Sequence, residues 1–177
     1  MRIITGEYKG RHFEIPRSFK ARPTTDFAKE NIFNVIRGYV DFTNKAALDL
    51  FSGTGSISLE LLSRGCSKVI SVELDREHIA FIRQCLAKIG TEKCLTLRTD
   101  ALRFIKNCRE QFDIVFADPP YSMAELPQIP QLILEKGLVR KGGILVMEHG
   151  SQTDFSQLEG FADHRIYGSV NFSIFLT

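Results

Sequence analysis

The four residues Asp118-Pro119-Pro120-Tyr121 are the part of this chain best suited to chemistry. They follow the apolar run 112–117, which is typical of a buried strand. Two successive prolines fix φ and remove two backbone donors, so the loop offers carbonyl oxygens without competing N–H groups. An acidic side chain before them and an aromatic ring after them suit a planar amine, which needs acceptors and a stacking surface. A proline-stiffened strand exit in which Tyr121 only packs is the alternative.

A glycine-containing loop lies between the first predicted strand and its helix. Gly53 and Gly55 allow the backbone to approach a ligand, and the helix N-terminus behind them offers free N–H groups. Ser58 stands at the third glycine position of the dinucleotide fingerprint GxGxxG, so the match is incomplete. Glu73, about 20 residues further on at a strand end, can accept the hydroxyls of a ribose. It is alternatively a surface carboxylate beside a helix cap, Asp75.

Acidic residues stand at the ends of four successive predicted strands: Asp49, Glu73, Asp100 and Asp118. In an open α/β sheet, ligands bind outside the carboxyl ends of the strands. Asp100 is also a good helix cap, and it is placed to accept a hydrogen bond from an adenine amino group. A single acidic strand end would be unremarkable, whereas the series favours a ligand site built from convergent groups.

The elements that must position these residues alternate from residue 46 onward between short apolar runs and amphipathic stretches. Strands alternating with helices predict a parallel sheet with helices on both faces. The predicted segments are 46–51, 56–64, 68–73, 76–89, 95–98, 101–109, 112–117, 127–136 and 143–148. Two further strands, 163–167 and 170–176, flank Gly168 too closely for a crossover helix, so the sheet is expected to finish in an antiparallel hairpin.

The N-terminal part has a different pattern. Residues 1–16 alternate like a β-hairpin, with 8–15 as the clearest strand. A helix follows, which Thr25 or Asp26 can cap. Its predicted buried face consists of Ala28, Ile32, Val35, Ile36 and Tyr39.

Length and composition fit one ordinary globular domain of 177 residues. No apolar run approaches the roughly 18 residues of a membrane span, and the N-terminus does not resemble a signal peptide, so a cytoplasmic location is expected. The four cysteines form no CxxC pair and the four histidines are scattered. We therefore predict no metal site and no histidine-based triad.

Charge is distributed unevenly along the chain. Residues 1–22 carry six Lys or Arg against two Glu, a net charge of +4, whereas the remainder carries −2 because the whole chain carries +2. A basic arm on a slightly acidic body favours an anionic partner such as nucleic acid. A solvated hairpin whose charge has no partner is the competing interpretation.

Taken in order, the glycine loop, the acidic strand ends and Asp118–Tyr121 resemble a class I S-adenosylmethionine-dependent methyltransferase that acts on amines. Arg22-Pro-Thr-Thr-Asp26, the helix with Ile32-Phe33-Asn34, and Tyr167-Gly168-Ser169 narrow the resemblance to the RsmD family. That family methylates N2 of one guanine in bacterial 16S rRNA. The resemblance covers essentially the whole chain. The chain departs from it at Phe27, where relatives often carry a basic residue, and at 170–172, where small residues are common.

The resemblance implies a Rossmann-like α/β fold: a seven-stranded, mostly parallel sheet with an antiparallel last strand, helices on both faces and an N-terminal β-hairpin. It divides the chain into a basic hairpin extension, 1–22, and a methyltransferase domain, 23–177. S-adenosylmethionine would be the cofactor, and 16S rRNA the partner, free or in a 30S assembly particle, with no membrane partner and a monomeric enzyme. The residues expected at the cofactor are Asp49, Phe51, Gly53, Gly55, Glu73, Leu74, Asp100 and Ala101.

The target guanine is assigned to Asp118, Pro119, Pro120 and Tyr121. We expect the Asp118 carboxylate and the Pro119 carbonyl to accept the two N2–H groups, while Tyr121 stacks on the flipped base. The candidates for RNA contacts are Lys9, Arg11, Lys20, Arg22 and Thr24.

Three other functions remain open from the sequence alone. Methylation of adenine N6 in nucleic acid, or of a protein glutamine amide, would use the same fold and a related tetrad. A noncatalytic RNA-binding assembly factor would keep the pocket without the reaction. A nicotinamide dehydrogenase is disfavoured by Ser58 and by the lack of a separate substrate domain.

Overall fold

The computed structural model describes residues 1–20 and 24–177, which build one sheet covered by helices on both faces. The strands are β1 (Ala46–Leu50), β2 (Lys68–Glu73), β3 (Cys94–Arg98), β4 (Phe112–Ala117), β5 (Val139–His149), β6 (Phe161–Tyr167) and β7 (Val170–Leu176). The helices are α1 (Asp26–Tyr39), α2 (Ser56–Ser63), α3 (Arg76–Ile89), α4 (Ala101–Asn107) and α5 (Ile129–Glu135), the last preceded by a 3-10 turn (Leu126–Gln128).

The seven strands form one sheet in the order β3-β2-β1-β4-β5-β7-β6. The first five are parallel, whereas β7 inserts antiparallel between β5 and β6. Only two residues separate β6 from β7, which forces this hairpin because a parallel return needs a long crossover. The predicted seven-stranded, mostly parallel sheet with a reversed last strand is confirmed.

Each face of the sheet has its own hydrophobic core. Side chains alternate along every strand, so neighbours such as Ala47 and Leu48 point to opposite faces. Helices α1, α2 and α3 cover one face, and α4 and α5 cover the other. This double-sided burial holds the strand ends in a fixed row, which is what a site built from those ends requires.

The N-terminal segment pairs antiparallel as predicted, but as a single bridge between Arg2 and His12 rather than a regular ladder. The predicted strand 8–15 is wrong in its first residues, because Tyr8 to Gly10 form a turn. The cause is the close approach of Gly6 to helix α2: a Cβ on Gly6 would lie 1.8 Å from the Ser63 carbonyl oxygen, and the residue has φ +96°. The contact of the N-terminal segment with α2 therefore outweighs its tendency to pair as a regular strand.

A buried ionic cluster joins the N-terminal segment to α1 and α2. The Glu60 carboxylate accepts the backbone N–H groups of Ile4 (2.8 Å) and Thr5 (3.1 Å) and the Arg64 Nε–H (2.8 Å). Lys29, only 1% exposed, donates to the Arg2 carbonyl and the Ser56 hydroxyl. Burial lowers the Lys29 pKa, although nearby Glu60 opposes this. The basic segment is therefore anchored in the core, and the boundary predicted at residues 22 and 23 lies outside the described residues.

Helix α1 is capped by Thr25, whose hydroxyl accepts the Ala28 N–H at 3.2 Å. Its buried face includes Phe33, which the predicted face lacked, whereas Tyr39 is partly exposed and donates to Asp163. In the described part of the chain, no helix is long and apolar enough to cross a membrane. The four cysteines are free thiols, and burial raises the pKa of Cys66 to about 12.

Candidate active site

A cavity of about 1360 Å³ opens at the carboxyl ends of strands β1 to β5. Pockets for a single small ligand usually span roughly 300–1,000 Å³, so this cavity has room for a cofactor and part of a second substrate. Of the residues predicted to be at the site, it brings together Thr24, Asp49, Phe51, Gly53, Glu73, Leu74, Asp100, Ala101, Asp118, Pro119, Pro120 and Tyr121.

The loop after β1 is bent by residues in the left-handed region of backbone space. Phe51 has φ +61°, Gly53 +54° and Gly55 +78°. Gly55, which was predicted to contact the cofactor, is not among the residues that line the cavity. It instead lets α2 pack on α3, because a Cβ at this position would lie 2.7 Å from the Ile82 side chain. Its neighbours Gly53 and Thr54 form the cavity wall.

Asp49 is only 1% exposed, and its carboxylate accepts the Ser58 hydroxyl at 2.6 Å. Burial raises the Asp49 pKa to about 7, and the Ser58 hydrogen bonds oppose that rise. The serine that interrupts the GxGxxG pattern therefore has a definite role as the partner of a buried carboxylate. The cavity thus has a weakly ionised acid at its base that gains from a cationic ligand.

Glu73 ties the loop after β1 to the start of α3. Its Oε2 accepts the Gly53 N–H at 2.7 Å, and its Oε1 accepts the N–H groups of Leu74 and Asp75, each at 2.9 Å. Oε2 keeps one acceptor position for a ligand hydroxyl. His78 lies beside it, with Nδ1 3.8 Å from Oε1, and this buried nitrogen has no hydrogen-bond partner among residues 1–20 and 24–177. Prediction from sequence missed His78, since no local motif marks it.

Asp75 and Asp100 both act as helix caps. Asp75 accepts the N–H groups of Glu77 and His78, and Asp100 accepts the Arg103 N–H at 2.8 Å. The two interpretations of Asp100 are compatible, because the capping residue and its neighbour Ala101 also line the cavity. Capping fixes the side chains at the edge where an adenine amino group would need an acceptor.

The target loop is joined to a residue that sequence reasoning missed, Glu148 at the end of β5. The Tyr121 hydroxyl donates to Glu148 Oε1 at 2.8 Å, and the Thr24 hydroxyl donates to Oε2 at 3.3 Å. Asp118 lines the same part of the cavity as Glu148. Burial, followed by the charge of Glu148, raises the Asp118 pKa well above its ordinary range, and burial raises the Glu148 pKa. Both carboxyl groups therefore ionise less readily than they would in water.

A signal for Glu148 did exist in the sequence. It closes the fifth predicted strand, 143–148, and so extends the series of acidic strand ends by one member. Its contact with Thr24, 124 residues away in the chain, has no local signature.

Comparison with known proteins agrees with this geometry. The sequence model of the family described as "Conserved hypothetical protein 95" matches residues 1–176. The chain belongs to this family, that of the RsmD methyltransferases. It is 34% identical over 164 residues to YlbH of Bacillus subtilis, covering 90% of this chain and 88% of the relative. It is 32% identical to the ribosomal RNA small subunit methyltransferase D of Haemophilus influenzae, covering 84% and 78%.

A solved structure supports the same fold. Protein TTHA0928 of Thermus thermophilus superposes with a TM-score of 0.87 at 26% identity, over 100% of this chain and 99% of that one. The RsmD family membership and the Rossmann-like methyltransferase fold predicted from the sequence are confirmed.

In this RsmD family member the predicted RNA contacts are spread over two regions. Thr24 lies in the cavity wall. Lys9, Arg11 and Lys20 are exposed and lie outside the cavity. In the described part of the chain, none of these three cations forms an ion pair. Arg22 lies outside the described residues.

Proposed function

We propose that this protein transfers a methyl group from S-adenosylmethionine to N2 of one guanine in 16S rRNA. The observation that carries the proposal is the cavity itself. Glu73 and the Asp118–Tyr121 loop line this one cavity at the ends of parallel strands, so a carboxylate suited to ribose hydroxyls and a loop suited to an amine would face the same ligands. Membership of the RsmD family supports the same reaction.

The cofactor half of the cavity is built from β1, β2 and β3. Its residues fit S-adenosylmethionine because the donor and acceptor types match the parts of that molecule. Glu73 would hold the ribose hydroxyls, and Asp100 with Ala101 would border the adenine. The buried Asp49 carboxylate would face the cationic methionine part, which would stabilise its ionised form. The cofactor supplies a methyl group already activated on a sulfonium.

The target half of the cavity is built from β4 and β5. Tyr121 is 48% exposed, so one face of its ring is available for stacking. A Cβ on Gly150 would lie 3.3 Å from the ring, so the glycine leaves the space that the ring occupies. The hydroxyl bond to Glu148 fixes the ring orientation. A flipped guanine would therefore stack on a surface whose position is set in advance.

Guanine N2 is a weak nucleophile because its lone pair is delocalised into the ring. One Asp118 oxygen and the Pro119 carbonyl would accept its two N–H groups and stabilise the positive charge that develops during attack. Within the described residues the Pro119 carbonyl accepts no hydrogen bond, so it is free for this role. The amine proton would leave through Asp118 or directly to water.

The exposed Lys9, Arg11 and Lys20 would contact phosphates of the RNA. Arg22 is proposed for the same role from the sequence alone. The substrate would be 16S rRNA, free or in a 30S assembly particle, and the enzyme would act as a monomer.

The deciding experiment maps modified nucleotides in rRNA from a strain that lacks this protein. One N2-methylguanine in 16S rRNA should be absent, and the purified enzyme with labelled S-adenosylmethionine should restore it in naked rRNA or in 30S particles. Methylation of adenine or of protein by the same preparation would contradict the proposal. Absence of cofactor binding in calorimetry would support a noncatalytic RNA-binding factor instead.

A further inference from the structure

Glu148 is a buried acid without a cationic partner. Its side chain is 5% exposed, and in the part of the chain that the structure describes it forms no ion pair with any Lys, Arg or His. A carboxylate held there without a cationic partner is unfavourable, because burial removes its charge from water. It nevertheless lines the target half of the cavity. Glu148 is therefore unfavourable in the empty site and faces the position of the substrate. A ligand that donates a hydrogen bond to it would offset that cost.

The hydrogen bonds already made to Glu148 leave acceptor positions open. A carboxylate offers about four acceptor positions. Tyr121 occupies one on Oε1 and Thr24 occupies one on Oε2. No further side-chain hydrogen bond to Glu148 is formed among the described residues, so each oxygen keeps a position for a donor on a ligand in the cavity that Glu148 lines.

We infer that Glu148 determines base specificity, by accepting the N1–H of the target guanine while Asp118 and Pro119 hold its N2 amine. This inference rests on the proposed function, because it assumes that a purine amine enters the target half. Guanine N1–H and N2–H are adjacent donors on one ring edge. Asp118 and Glu148 follow Ala117 and Met147, which pair across the adjacent strands β4 and β5, and both line the cavity, so they offer two acceptors at neighbouring strand ends.

The same arrangement rejects adenine. The ring nitrogen beside the adenine amine, N1, carries a lone pair instead of a proton. That lone pair would face the Glu148 carboxylate and leave two acceptors opposed in a buried site. A site built to accept a substrate N–H discriminates strongly against an analogue that lacks it, since its own polar group is then left unpaired. Glu148 would thus select guanine N2 over adenine N6 as the methylated amine, although the loops that bind the two amines are similar.

The first test uses the unaltered enzyme and an analogue of the target base. Once the methylated guanosine is mapped, 16S rRNA is assembled by ligation with 2-aminopurine riboside at that position and presented in the same form. This base keeps the 2-amino group but has a lone pair at N1. We expect kcat/KM for methyl transfer to fall by about 10- to 100-fold relative to guanine. Equal rates on the two bases would overturn the inference.

The second test changes the protein. Glu148→Gln keeps the size of the side chain and can still accept the Tyr121 hydroxyl, while its amide N–H can donate to a lone pair at N1. The ratio of kcat/KM for guanine to that for 2-aminopurine should fall about 10-fold or more below the wild-type ratio. The matched control is Thr24→Val, which removes a Glu148 partner but keeps the carboxylate. Its ratio should stay within about twofold of wild type, whatever its absolute rate.

The outcomes separate the role of Glu148 from the reaction on which it rests. If wild-type enzyme leaves guanine N2 unmodified, both the proposed reaction and the role of Glu148 are contradicted. Wild-type enzyme that methylates guanine N2 while Glu148→Gln keeps the wild-type ratio contradicts the role of Glu148 alone. Cofactor calorimetry and a melting curve would reveal a Glu148→Gln variant that fails to fold. In that case the rate of wild-type enzyme on 2-aminopurine still tests the role of Glu148.

Discussion

The cofactor half and the target half of the cavity both use acidic strand ends, but they hold them differently. On the cofactor side, Glu73, Asp75 and Asp100 accept backbone N–H groups of the loops and helices that follow them. On the target side, Glu148 accepts two hydroxyl groups and Asp118 lies in the same part of the cavity, and both pKa values are raised. Carboxylates that accept backbone N–H groups are satisfied without a ligand, whereas a buried carboxyl pair is not.

The two halves thus differ in how many of their acids are satisfied before a ligand binds. On the cofactor side, Glu73, Asp75 and Asp100 already accept backbone N–H groups, and only Asp49 is a buried acid with a raised pKa. The target half is electrostatically unfavourable until a donor-rich base arrives. Functional sites commonly lower the stability of the folded state in this way.

We expect the largest effect when Asp118, in the target half, is replaced by alanine. Because Asp118 would contact the reacting amine directly, methyl transfer to 16S rRNA should fall by at least about 10²-fold. Cofactor affinity, measured by calorimetry, should stay within about threefold of wild type, because the cofactor half does not use this side chain. Near-wild-type turnover of the variant would remove Asp118 from the mechanism.

The reciprocal change is Glu73→Ala on the cofactor side. It removes three backbone hydrogen bonds and the proposed ribose acceptor together. Cofactor affinity should fall about 10- to 100-fold, in line with a charged hydrogen bond. The control is Glu77→Ala, since Glu77 lies in the same wall but its side chain makes no hydrogen bond or ion pair in the described structure. Unchanged affinity in the Glu73 variant would show that the carboxylate only organises the loop.

The Asp49→Asn variant tests how the buried acid of the cofactor half changes stability with pH. The Asp49 pKa is raised by burial from 3.8 to about 7, so the folded state binds more protons than the unfolded state between these values. This carboxyl therefore lowers wild-type stability as pH rises from 3.8 to 7, and the loss is complete above that pH.

Asparagine does not ionise, so the free energy of unfolding of the variant should exceed that of wild type by about 1–2 kcal/mol at pH 8. The gain should shrink toward pH 4, and denaturant titrations at both pH values would measure it. Cofactor binding should weaken in the same variant. A stability gain that did not change with pH would mean that Asp49 titration is not its source.

The smallest expected effect concerns the N-terminal segment. Alanine at Lys9, Arg11 and Lys20 should weaken RNA binding and reduce the salt slope by roughly 0.7 for each phosphate that the variant no longer neutralises. Filter binding of 16S rRNA fragments over a salt series would measure it. Lys141→Ala, an exposed position away from both the segment and the cavity, is the control. A wild-type salt slope in the triple variant would leave the segment with a structural role only.

Much of the fold was readable from the sequence. Alternating apolar and amphipathic segments predicted all seven strands and the five helices, because each element had to bury one or both faces. The final hairpin followed from the short spacing around Gly168. The N-terminal hairpin was only partly right, since contacts between Gly6 and α2, on residues distant in sequence, outweighed local strand preference.

The residues of the candidate site were likewise predicted only in part. Asp49, Glu73, Asp100 and Asp118 were found because a parallel sheet brings the carboxyl ends of its strands to one edge. The packing of Gly55 on Ile82 was not foreseen, because a glycine pattern does not distinguish ligand contact from helix packing. His78 was missed because burial without a partner is a property of the surroundings and not of the residue.

The order of the elements followed from the sequence, because it depends on the periodicity of apolar residues. The series of acidic strand ends also followed from it, because it depends on which residue closes each strand. Only the tertiary structure decided that Glu148 meets Asp118, Tyr121 and Thr24 in one buried cluster. Those contacts depend on β5 lying next to β4 and on the start of α1 reaching the same edge. Neither placement has a local signature, because the free energy that selects it comes from packing the whole sheet.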